Sequence, residues 1–125
     1  MDTKSFKVIA KDFLILSSKG IVREAFKQYA HPKFKHHNVC FKGDAESLIF
    51  AIEENARNNP NMIFEIKHVL QDGDLVAVHS YARQNANDLG AAICHFFQFS
   101  EDKIIEMWDF GQTVPAEMEN EHGMF

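Results

Sequence analysis

The sequence has little cysteine. Its two thiols, Cys40 and Cys94, fall in no paired-motif spacing and read as reduced thiols of a cytoplasmic protein. It also lacks an excess of positive charge. Lys and Arg number 13 against 18 Asp and Glu, for a net charge of -5, and no basic stripe appears, which argues against nucleic acid as a partner. Long hydrophobic runs are absent from its first residues. The apolar run there, Phe13 to Leu16, is too short for a signal peptide or a membrane span, so no membrane partner is expected. Seven histidines include no His-x-His or His-x-x-x-His pair, so no metal site is expected. Neither a nucleophile elbow nor a phosphate-binding glycine loop is present. With no repeat, low-complexity tract or linker, residues 1–125 read as a single domain with one core.

What the chain does have is phenylalanine, 12 in all. So many aromatic rings imply a large core, an apolar cavity, a subunit interface or a combination of these.

Three helices are expected first. Ser5 to Ser17 carries an apolar stripe at Phe6, Ile9, Ala10, Phe13 and Leu16. Ile21 to Tyr29 follows, with Ile21, Val22, Ala25 and Phe26 inward, and His31-Pro32 stops it. Lys33 to Lys42 is irregular or a short strand. Asp44 then caps a third helix whose stripe is Leu48, Ile49, Ile52 and Ala56. The rest reads as strand. Met62–Leu70 and Leu75–Tyr81 flank an Asp72-Gly73 turn. That register puts Leu70 opposite Leu75 and Ile66 opposite His79. The layout is α+β, a curved, mainly antiparallel sheet wrapped around three N-terminal helices.

Gly90 to Gly111 organises the whole and reads as a long hairpin. Two ionisable side chains, His95 and Asp109, sit within its apolar arms, and burial of such groups demands a reason. A two-residue loop at Glu101-Asp102 places His95 on a face with Trp108. A three-residue loop pairs Phe99 with Lys103 and places His95 opposite Met107, with Asp109 opposite Ile93. The second register is preferred. One face then holds Ile93, His95, Phe97, Phe99, Ile105, Met107 and Asp109. The other holds Cys94, Phe96, Gln98, Ile104, Glu106 and Trp108.

Several ordered motifs carry a resemblance. They are Tyr29 followed by His37-Asn38, Gly43-Asp44, the stretch Asp72 to His79, Glu106-x-Trp108-Asp109, and Gln112-x-Val114-Pro115 with the closing Gly123-Met124-Phe125. Together they resemble the SnoaL-like polyketide cyclase group of the nuclear transport factor 2-like cone fold. The resemblance implies a cone closed by helices around an apolar pocket, commonly in a homodimer. It also implies an aldol ring closure of a polyketide ester, with a pocket Asp as acid–base. That Asp falls on His95 here, the Pro that often follows His-Asn is Val39, and the His before Trp-Asp is Met107. In the epoxide hydrolases of the same fold, a catalytic Asp falls on Asp109.

The expected function is therefore that of a small-molecule pocket protein. It would be a cofactor-independent acid–base enzyme of aldol cyclase, isomerase or lyase type, acting on a small apolar or polyketide-like carbonyl compound. The alternative is a non-catalytic dimeric binding module. His95 and Asp109 are the candidate catalytic residues, with His95 as general base; each also has a structural reading, as a core histidine and a strand-end cap. His79, His37, Tyr81, Phe64, Phe97 and Met107 are candidate ligand contacts. Phe96 and Trp108, with Val76 and Val78, would form the dimer face. Met124 and Phe125 should dock on the body of the protein.

Overall fold

Ser5 fixes the start of the first helix, its side chain accepting from the Val8 amide. Helix α1 (Phe6–Ser18) is followed by α2 (Val22–Tyr29), which passes directly into strand β1 (Ala30–His36). Asp44 accepts from Ser47 N at 2.9 Å and caps α3 (Ala45–Asn58). Four strands complete the chain: β2 (Ile63–Asp72), β3 (Leu75–Arg83), β4 (Ala91–Ser100) and β5 (Lys103–Thr113). This computed structural model describes residues 4–125; Met1–Thr3 of the expected domain lie outside the described residues. Ile21, expected inward, precedes α2 and is exposed, because the helical stripe begins one residue later at the fully buried Val22.

The five strands form one mixed sheet in the order β1-β5-β4-β3-β2. Only β1 and β5 run parallel; the other pairs are antiparallel. The sheet is open, and the core lies between one face of it and the helices. Phe13 joins the two layers, its ring 5.0 Å from Phe26 and 5.6 Å edge-on from Phe97. Phe6 stacks on Phe99 at 4.2 Å. Such pairs contribute beyond the area they bury.

Both hairpin registers differ from the sequence reading. Asp72 pairs with Leu75 and Leu70 with Ala77, so the β2–β3 turn has two residues rather than four. Gly73 supplies the left-handed residue this needs, at φ +59°. A bulge between Ile66 and His68 then puts His68 opposite His79 and Ile66 opposite Ser80. In the β4–β5 hairpin the loop is the two-residue Glu101-Asp102 turn, both residues at positive φ, with Ser100 paired to Lys103. A second bulge, at Ile105, shifts the ladder so that Phe97 pairs with Met107 and His95 with Asp109. Asp109 therefore faces His95 rather than Ile93, and His95 faces Asp109 rather than Met107.

The two departures in the β4–β5 hairpin partly cancel. Turn and bulge together displace the distant pairs by two positions, which preserves faces, so His95, Phe97, Met107 and Asp109 do share one. Ile104 and Ile105 exchange faces: Ile104 is fully buried opposite Phe99, and Ile105 is not.

Candidate functional site

Strand alternation decides which side chains reach the helices. On β3 the buried positions are Val76, Val78 and Ser80. On β4 and β5 they are Phe97, Phe99, Ile104 and Met107. The row Val78–His95–Asp109 crosses three strands on this inner face. The row His68–His79–Cys94–Phe110 lies on the outer one.

A cavity of ≈ 340 Å³ opens between the inner face and helices α1 and α3. Its apolar wall includes Phe13, Leu48, Ile52, Phe64, Ile93 and Met107, and its polar groups include Asn38, His95 and Asp109. This is the low end of the size range of small-molecule sites.

His95 is the unusual group. Its ring lies parallel to Phe97, 5.8 Å away, and its Nδ1 is buried with no hydrogen-bond partner. Burial lowers its pKa from the ordinary 6.5 to about 4, against the opposing pull of the Asp109 carboxylate. Asp109 Oδ2 accepts instead from Asn38 Nδ2 at 2.9 Å, so Asp109 acts on His95 through charge rather than through a hydrogen bond.

Asn38 was not among the expected site residues, although a signal for it was present. Phe34 and His36 are buried inward along β1, and continuing the period-2 alternation brings Asn38 to the cavity. The same alternation corrects His37. His37 is expected to contact the ligand, but it is His36 that is buried, and His37 is exposed. His36 organises the loop, with Nε2 2.6 Å from Lys42 O and Nδ1 accepting from Asn38 N at 3.1 Å. Asn38 Oδ1 in turn accepts from Cys40 N at 2.9 Å. On the other side of the sheet, His37 stacks on Trp108 at 5.2 Å and sits 2.6 Å from Glu106 Oε2.

His79 and Tyr81 also lie on the outer face, because the buried series on β3 is the even-numbered one. His79 Nδ1 is 3.0 Å from His68 Nδ1, and the rings are parallel. One ring must donate and the other accept for that contact to form. Phe125 closes the stack, 5.7 Å from His79 and 4.4 Å from Tyr81. The chain end thus docks on the body, as expected. Phe64 and Met107 do line the cavity. Phe97 is on the inner face but fully buried, so it is core behind His95 rather than wall. Val76 and Val78, expected on the outer face with Phe96 and Trp108, are also in the core.

No group of three metal-binding side chains occurs among the described residues, and no described helix is long and apolar enough to cross a membrane.

No family model matches the chain, and no curated protein matches its sequence significantly. Solved structures do match its fold. A SnoaL-like polyketide cyclase from Agrobacterium tumefaciens superposes with a TM-score of 0.71 at 15% identity, over 90% of this chain and 94% of that one. A SnoaL-like protein of unknown function from Burkholderia thailandensis gives 0.67 at 17% identity, over 90% and 99%. An NTF2-like protein of unknown function from Cytophaga hutchinsonii gives 0.70 at 11% identity, over 90% and 95%. The chain has the fold these SnoaL-like and NTF2-like (nuclear transport factor 2-like) proteins share.

Proposed function

We propose that this chain, as a single domain, is a cofactor-independent acid–base enzyme of aldol cyclase, isomerase or lyase type. Its substrate is a small, largely apolar carbonyl compound held in the cone. One observation carries the reading: an imidazole with a buried, unpartnered Nδ1 and a carboxylate face each other across the ladder in a largely apolar cavity. Apolar sites with a few convergent polar groups suit small organic ligands.

The roles differ from those expected from the residue types. A histidine with a pKa near 4 is neutral at pH 7 but a weak base. Neutral imidazole still donates one hydrogen bond, which can polarise a carbonyl oxygen without delivering a proton. Asp109, held by Asn38, then takes the proton from the carbon next to that carbonyl. Exchange of α-protons for deuterium, followed by NMR for a panel of cyclic ketones, tests this. Wild type should accelerate exchange of at least one ketone over buffer, and D109N should not. A wild type that binds the ketones in the cavity but exchanges none supports the second reading, a non-catalytic dimeric binding module. What favours that reading is the missing hydrogen bond between His95 and Asp109.

The reading includes a homodimer through the outer face. There Leu75, Phe96, Trp108 and Phe110 line a groove of ≈ 420 Å³, with Phe110 62% exposed. Phe125 covers only the His79–Tyr81 side. A two-fold axis would set this patch against its own copy. Light scattering should give twice the chain mass at micromolar concentration, and W108E should give the monomer, since it would bury an unpaired charge. A cytoplasmic setting completes the reading, as an exposed unpaired thiol at Cys40 suits a reducing compartment.

A further inference from the structure

A neutral imidazole carries one N–H, on either of two nitrogens, and only one of them can serve a ligand. In His95 the nitrogen that is walled off without a partner is Nδ1. Nε2 is the one that His95 presents to the cavity it lines. To polarise a carbonyl there, the proton must sit on Nε2, which leaves a lone pair on the buried Nδ1.

Four buried side-chain atoms among the described residues have no hydrogen-bond partner: Ser17 Oγ, Ser80 Oγ, Arg83 Nε and His95 Nδ1. Two are readily placed apart from His95. Ser17 is in α1, where a serine hydroxyl can turn to the carbonyl four residues back. Arg83 lies over Tyr81, on the outer side of β3. Ser80 is different. It is fully buried, follows Val78 in the inner series of β3, and stands between Ile66 and Ile93. Because Val78 pairs with His95, Ser80 is the diagonal neighbour of His95 on the inner face. Such neighbours have Cβ atoms about 7 Å apart or less, a gap that a hydroxyl and an imidazole can close. Asp109, opposite His95 on β5, cannot do the same, since a carboxylate has no proton to give to a lone pair.

We infer that Ser80 is a positioning residue: its hydroxyl donates to His95 Nδ1 and so fixes the imidazole proton on Nε2, towards the cavity. The two atoms are not bonded in the structure, and a turn about the serine Cα–Cβ bond makes the contact. The direction follows from where protons can go. If Nδ1–H donated to Oγ instead, the hydroxyl proton would be stranded in the core. With the hydroxyl as donor no proton is stranded, because Nε2–H faces the cavity. The use of that proton rests on the reading of His95 as the carbonyl's donor; the tautomer does not.

Ring nitrogen shifts in long-range ¹H–¹⁵N NMR spectra test it, since a protonated nitrogen is well separated from one with a lone pair. At pH 7 burial keeps His95 uncharged, so one tautomer can be read directly. Wild type should show the proton on Nε2. S80A, which removes the donor and little volume, should let Nδ1–H appear. S80C, whose thiol donates weakly, should fall between the two and serves if S80A does not fold. On a ketone that wild type exchanges, S80A should lower kcat about tenfold, the worth of one hydrogen bond, and leave KM within about twofold. A wild type with its proton on Nδ1, or a spectrum unchanged in whichever variant folds, would overturn the inference. So would an unchanged kcat in a variant whose tautomer shifts. A wild type that exchanges no ketone defeats the catalytic reading instead, and the spectra then decide the role of Ser80 by themselves.

Discussion

Two sets of histidines on adjacent positions of one sheet do opposite things. His95, opposite Val78, points inward, is buried beside Phe97 and has a ring nitrogen with no partner. His79, the next residue after Val78, points outward, stacks with His68 and lies under Phe125. The outer pair joins one nitrogen of each ring to the other and provides a platform for the chain end. The inner residue is left unsatisfied, and such a buried group costs stability unless a ligand supplies the partner. A histidine's residue type thus says little about its role. The face of the pleat decides which chemistry it can do.

The largest effect should separate the two faces by activity. On a ketone that wild type exchanges, D109N should lower α-proton exchange by about 10²–10⁴-fold, the usual loss for a general base. H95L should cost about 10²–10³-fold by removing the carbonyl donor. H95Q, which keeps a donor, should cost less than H95L. H79Q should leave the rate within about twofold. An H79Q loss as large as that of D109N would break the division between the faces.

The next effect is on stability against pH. The folded protein resists protonating His95 until about pH 4, whereas the unfolded chain takes the proton near 6.5. Between those values the unfolded state binds more protons. Stability should fall as pH drops through that window, by up to about 3 kcal/mol. Urea unfolding at several pH values should show this slope in wild type and its reduction in H95Q. NMR titration of the His95 ring should give a midpoint well below 6.5; a midpoint at or above 6.5 would mean the inner face is wetter than the structure implies.

Smaller again is the outer platform. F125S should destabilise by about 1 kcal/mol, the part of a phenylalanine's burial that a half-exposed ring supplies. NMR relaxation should find the last five residues ordered in wild type and mobile in F125S, without change at the cavity amides. The smallest expected effect is at the tip of the β4–β5 hairpin. Glu101 and Asp102 both hold positive φ, which Asn-Gly adopts with less strain. The double variant E101N/D102G should gain about 0.5–1 kcal/mol by thermal unfolding, with both faces undisturbed.

Much of the fold was legible in the sequence because it follows from local rules. Asp44 is a side-chain cap, the stripes of α1 and α3 mark their buried faces, and alternation along β4 put His95 and Phe97 together. Local rules also sufficed for the docking of Phe125, whose apolar ring gains by leaving water. What they could not supply was parity. A single extra residue at Ile105, or one at Lys67 between Ile66 and His68, reverses which side chains share a face beyond it, and nothing in the local sequence marks a bulge. Packing decided it, by burying Ile104 and Val78 against the helices. The same packing sent His79 and Tyr81 outward, brought Asn38 to Asp109 across 71 residues of chain, and closed apolar side chains around His95. The sequence determined that His95 and Asp109 would need partners. Only the tertiary structure decided that His95 would have none, because its ionisation is set by the solvent it loses to neighbours far away in the chain.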